Sequence, residues 1–244
     1  MSRFSRALLV ILMLAAFATL ISLGNWQVRR LHWKEALIAE VEARRAGKAV
    51  PLGEVAKAFA SSGDVDYQPV TATGQFDHSR EVFFYTTRDG AVGWDVITPM
   101  QLADGGWLLV NRGFVPDQLR DASLRQEGQV AGTLTITGLA RNPLKEKPNS
   151  FMPDNRPDKR EFYWKSFDAI AGATGLAGEA GLMPFIVDAG PSQIPGGWPK
   201  GGSTIVSFPN SHLQYAITWY GLALALAGVG GWFLFSSRSS RRSN

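Results

Sequence analysis

The residues best suited to chemistry sit at the inner ends of two long apolar runs. Residues 7–24 and 215–235 carry no charge and are almost wholly apolar. Just past the first run, Trp26, Arg30 and Trp33 fall on one face of a helix with 3.6 residues per turn, which places a cation between two indoles. At the head of the second run His212, Ala216, Trp219 and Ala223 share a face, with Tyr215 close beside it. A neutral imidazole in that position can ligate haem iron, with Arg30 or Arg29 for propionates and the tryptophans against the macrocycle. A plainer account fits the same spacing: an aromatic belt with a snorkelling arginine, and an interfacial histidine hydrogen-bonded to a carbonyl. Both accounts stand at this point. His32 points roughly 120° away from the Trp26 and Arg30 face, and His78 lies in a turn-like stretch, so neither serves as a second ligand.

Other chemistries lack their residues. No nucleophile elbow, zinc-protease motif or phosphate-binding glycine loop occurs, so an enzyme is not expected. The chain has no cysteine, and its three histidines and five methionines are unclustered, which argues against a copper or zinc carrier. Asp64, Asp66, Asp154 and Asp158 lie in Gly- and Pro-rich stretches and read as solvated turn residues.

The two runs would span about 27 and 31 Å as helices, close to the hydrocarbon thickness of a bilayer. The first resembles a signal peptide, but its only Ala-x-Ala lies deep inside the run, and Asn25-Trp26-Gln27 lacks the small residues that cleavage needs, so an uncleaved anchor is expected. The pI near 9.5 raises the question of nucleic acid. The tails answer it: they hold five arginines and no acid, so the rest of the chain carries −1 of the net +4 and offers no basic stripe for phosphates.

Charge gives a mixed account of topology. Arg29, Arg30, Lys34, Arg44 and Arg45 follow the first run, against two arginines before it, whereas Arg238, Arg241 and Arg242 follow the second. Long segments translocate largely regardless of charge, so the short tails decide, and both are expected in the cytoplasm.

Between the spans, residues 26–48 are rich in helix formers and extend the first helix to near Gly47, and a short helix follows Pro51. Short β-branched and aromatic runs at 67–73, 81–87, 92–100, 107–114, 133–139 and 185–188 read as strands. Asp104-Gly105-Gly106 reads as a hairpin turn, residues 164–173 as a helix, and 188–203 as a flexible linker. The fold class expected is an α+β membrane protein, two transmembrane helices flanking one strand-rich extracytoplasmic domain built as an antiparallel sheet or partial barrel. The boundaries expected are tail 1–6, transmembrane helix 7–26, periplasmic domain 27–211, transmembrane helix 212–235 and tail 236–244.

The segment Gly24-Asn25-Trp26-Gln27-Val28-Arg29-Arg30-Leu31-His32-Trp33-Lys34 resembles the opening motif of the Surfeit-locus cytochrome c oxidase assembly factors. Arg112-Gly113-Phe114-Val115-Pro116 is similar to that family's Arg-Gly-aromatic-Val-Pro turn, and residues 210–220 are similar to its entry into the second helix. The resemblance implies a bacterial inner-membrane assembly factor for the haem–copper oxidase that holds haem a for insertion into the catalytic subunit. It makes His212 the candidate haem-iron ligand, surrounded by Trp26, Arg30, Tyr215 and Trp219. The partners it implies are the oxidase catalytic subunit, haem a synthesis or other assembly factors, and the lipid bilayer, with no nucleic acid. The alternative is a cofactor-free scaffold that docks oxidase subunits or other factors, with residues 112–116 as a docking loop.

Overall fold

The computed structural model describes residues 3–202 and 208–239. The chain divides into two units: the two long helices, residues 1–40 with 207–244, and a domain of residues 41–206.

The helix α1 (Arg3–Arg45) is uninterrupted for 43 residues and α4 (His212–Ser239) for 28. Both are long and apolar enough to cross a membrane, with mean hydropathies of 2.6 and 1.5 over their most apolar stretches. α1 contains no proline and only Gly24 as a breaker, so it continues past its apolar run and stops two residues before Gly47, as the composition predicts.

The domain is built on a closed barrel. Its strands are β1 (Val50–Pro51), β2 (Pro69–Phe76), β3 (Val82–Arg88), β4 (Ala91–Leu102), β5 (Trp107–Pro116), β6 (Thr133–Arg141), β7 (Glu161–Phe162) and β8 (Leu182–Ala189). β2 pairs with β6, β6 with β8, β8 with β5, β5 with β4, and β4 returns to β2 through Gly74–Leu102, Gln75–Gln101 and Phe76–Met100. All of these pairings are antiparallel except β5 with β8. β4 changes neighbour along its length, lying beside β3 over residues 91–97 and beside β2 over 100–102, with a register shift at Val96/Ile97 where the strand must bend. β3 carries β7 on its far side, and β1 pairs in parallel with the start of β2.

β4 and β5 are buried on both faces, so their apolar residues do not follow a strict inside–outside alternation and their few polar residues are buried too. One core cluster joins Val70, Met100, Leu108, Phe185 and Val187 to Leu52 and Val55 of helix α2 (Leu52–Ser62), whose Phe59 ring lies 5.8 Å from that of Phe185. The other joins Val82, Ile97, Leu109 and Ile186 to Phe162, Leu176 and Ile170 of helix α3 (Phe167–Ala173).

The six expected strands, both short helices and the Asp104-Gly105-Gly106 hairpin are present, and the partial barrel is closed. Residues 188–202 differ from the expected flexible linker. Lys200 bridges to Phe114, Gly190 N–H donates to Thr137 and Gly202 N–H to Ala189, and Trp198 packs on Phe114. Glycine and proline there serve close backbone approach, not freedom. Residue 203, the last of that stretch, lies outside the described residues.

Candidate functional site

The two long helices meet through a repeat of 3.5 residues, the period of a helix–helix seam. On α4, Ala216, Ala223 and Gly230 are buried and His212, Trp219 and Leu226 half-buried. On α1, Gly24 and Gln27 are buried, and Met13 and Leu20 half-buried, along positions 13, 17, 20, 24 and 27. The helices run antiparallel: Gly230 abuts Met13, Gly24 abuts Tyr220, and Gln27 meets His212. Glycine is required at 24, where a Cβ would sit 2.5 Å from the Tyr220 ring.

His212 opens α4 and is half-buried, with Nδ1 at 2.7 Å from Gln27 Oε1. Gln27 is only 8% exposed, and its carboxamide supplies the acceptor of the plainer account, a carbonyl on the histidine. About two turns further along α4, the Tyr220 hydroxyl donates to Asn25 Oδ1 at 2.7 Å. The opening motif of the first helix and the entry motif of the second are therefore two halves of one contact.

Arg30 lies over the Trp33 ring at 3.8 Å, so the expected cation on an indole is present with Trp33. Trp26 and Trp33 are each half exposed, as is Tyr215. With about 100° per residue, Arg30 sits about 60° and Trp26 about 100° round α1 from Gln27, and Tyr215 sits about 60° round α4 from His212. In antiparallel helices those rotations open onto the same flank of the pair. By that geometry Trp26, Arg30 and Tyr215 share a flank beside the His212–Gln27 contact, Arg30 and Tyr215 about 9 Å apart along the axes, with Trp219 a half-buried neighbour along the seam.

The other histidines are placed differently. The His32 side chain is 73% exposed, with Nδ1 at 3.7 Å from Glu35. His78 has both nitrogens engaged, Nε2 with the Val130 carbonyl at 3.0 Å and Nδ1 near Arg112 and Glu81 at 3.2 and 3.4 Å. Among the described residues no cluster of three His, Asp or Glu could hold a metal ion. An axial haem ligand needs only one imidazole, so His212 keeps that capacity.

Gln27, Gly24, Asn25 and Tyr220 did not emerge as site residues from sequence. The 3.5-residue stripe 13, 17, 20, 24, 27 was the signal that could have found Gln27, because it runs to one side of the more conspicuous Trp26 and Arg30 face.

The segment 112–116 is not a docking loop. It lies within β5, and residues 112–115 are buried. Arg112 donates to Glu81 Oε1 at 3.0 Å and to the Gly128 carbonyl, and its guanidinium lies over Phe76. Arg125 meets Glu81 Oε2 at 2.5 Å. Burial raises the Glu81 pKa, but hydrogen bonds from His78 and Arg125 and the two arginine charges outweigh it and hold the carboxyl at about 2. Burial, together with Arg125, lowers Arg112 to about 10. Gly113 has φ +116°, and the Lys200 carbonyl occupies the space a side chain would need.

A second buried network lies on β4, β5 and β8. Asn111 Nδ2 donates to both Asp95 and Asp188, and Arg141 and Lys165 also contact Asp188 at 3.1 Å. Burial raises the Asp95 pKa, whereas at Asp188 the Lys165 and Arg141 charges overcome burial and lower it. Asp64 and Asp66 do lie at a turn, but each is tied by an arginine, Arg44 and Arg141 respectively.

The chain matches the model of the SURF1 family over residues 14–224. It is similar to Surfeit locus protein 1 of Rattus norvegicus, 36% identical over 235 residues that cover 88% of this chain and 72% of the relative. Surfeit locus protein 1 of Homo sapiens is likewise 36% identical, over 233 residues, covering 88% and 73%. A SURF1-like protein of Monosiga brevicollis is 34% identical over 236 residues, covering 91% and 85%.

Proposed function

Since the chain belongs to the SURF1 family, whose members are non-catalytic assembly factors for cytochrome oxidase, we propose that it carries haem a and assists its insertion into the oxidase catalytic subunit. The observation that carries the reading is His212: an imidazole at the first residue of a membrane helix, half-buried against its partner helix, with one ring nitrogen engaged. Haem a is cargo here, and its iron would accept the free nitrogen. Arg30, on the same flank and about 4.5 Å further along α1 than Gln27, would pair with a propionate. Trp26, Tyr215 and Trp219 would shield the ring, and the apolar helix faces would keep water from it.

We place the protein in the inner membrane of a bacterium as a multi-pass protein, with both tails cytoplasmic and the domain periplasmic. The relatives described above are eukaryotic and lend the bacterial source no support; the two spans and the domain outside the membrane hold for either setting.

A second reading has its own observation. The His212–Gln27 and Tyr220–Asn25 bonds staple α1 to α4 without any ligand, as a cofactor-free scaffold would need. Purification from a host that makes haem a separates the two. A Soret band that His212→Ala largely removes, with the protein still inserted, supports the carrier. A colourless wild type supports the scaffold, and a band unaltered in His212→Ala removes His212 as the ligand.

A further inference from the structure

We infer that Gln27 is a positioning residue that selects the haem-binding tautomer of His212; the inference rests on the carrier reading above. A carboxamide oxygen carries no proton. Across the 2.7 Å between Gln27 Oε1 and His212 Nδ1 the proton therefore belongs to Nδ1, and Nε2 keeps its lone pair. Water alone offers no such selection, because it donates and accepts equally well at either nitrogen.

Three features of the helix pair make Gln27 fit for this. It is buried, while Asn25, Trp26, Arg29 and Arg30 around it are exposed, so its carboxamide is turned into the seam. Its neighbours fix the rotation of the opposite helix: Gly24 admits the Tyr220 ring, and Asn25 accepts the Tyr220 hydroxyl. Third, no other histidine shares the arrangement, since His78 has both nitrogens engaged and the His32 ring stands exposed beside Glu35. A carbonyl acceptor on Nδ1–H also makes Nε2 a stronger donor to a metal, a carboxylate more so.

The test uses the full chain in lipid nanodiscs. In the haem-free protein, the ¹⁵N shifts of the His212 ring, identified by their loss in His212→Ala, should show a protonated Nδ1 and a bare Nε2. Gln27→Leu, similar in volume, should move the proton toward Nε2 and weaken haem a binding, followed by Soret titration, by about 10- to 100-fold. Gln27→Glu should restore the bare Nε2 and bind at least as tightly as the wild type. Asn25→Ala breaks a bond of the same helix pair without touching His212 and should leave the tautomer unchanged, which a merely structural role for Gln27 would not predict. A wild-type ring protonated on Nε2, or Gln27→Leu with unchanged shifts and affinity, overturns the inference. A colourless wild type instead overturns the carrier reading, and full haem binding by His212→Ala overturns its ligand assignment; in both cases the ring shifts still report on Gln27.

Discussion

At the scale of single residues, the most consequential side chain in the domain is Glu81. It is 4% exposed and receives Arg112, Arg125 and His78. Removing its charge leaves two buried guanidiniums facing each other, so Glu81→Gln should cost about 3–5 kcal/mol, read as a melting temperature lower by roughly 10 °C in circular dichroism. The pH dependence has a definite sign. The folded carboxyl titrates at about 2 and the unfolded one near 4.5, so its contribution is complete above 4.5 and is lost as pH falls toward 2. Glu81→Gln should therefore unfold with a shallower acid limb, and an acid limb identical to wild type would remove Glu81 from that role. Sequence made His212 legible because an imidazole beside a membrane run is conspicuous. The buried pairing of Glu81 with Arg112 was not, since a charge in or beside a strand reads as solvent-facing until the partner strands are known.

Elements were more legible than their closure. Period and turn chemistry mark six of the eight strands, the hairpin at Asp104 and the helix that follows Pro51, and miss the two-residue strands β1 and β7. The barrel closes through only three residue pairs between β2 and β4, 24 to 28 positions apart in sequence, and β5 meets β8 in parallel; neither leaves a local signature. The stretch 188–203 reads as a linker because glycine and proline mark both loose linkers and tight packing. Gly113 shows the second case. Its φ of +116° lies outside what an L side chain adopts readily, and the Lys200 carbonyl fills the Cβ position. Gly113→Ala should lose at least about 1–3 kcal/mol from backbone strain alone and release the 198–202 strap from β5. Proteolysis should then cut near Lys200 in the variant and not in the wild type; equal resistance would show that the strap is held from elsewhere.

For the whole molecule, the open question in the sequence was a conflict of charges, five cations after the first span against three after the second. The course of α1 reduces that conflict. The helix runs on for 21 residues past Gly24, about 31 Å, and Arg44 and Arg45 stand at the far end of it, about 20 residues from the span and at the limit of the zone that orients a helix. Arg29, Arg30 and Lys34 remain, but they precede a long domain, and long segments cross largely regardless of charge. The tails carry five arginines without an acid, and two spans force both tails to one side. The chain has no cysteine, so a single introduced thiol reports one position cleanly. Leu124, 62% exposed on the domain, marks one side, and Ser243 in the last tail marks the other. In intact cells whose outer membrane has been made permeable, Leu124→Cys should react with a membrane-impermeant maleimide. Ser243→Cys should react only after the inner membrane is opened. The reverse pattern would mean that the basic flank of α1 governs insertion and that the domain, with the His212 end of the helix pair, faces the cytoplasm.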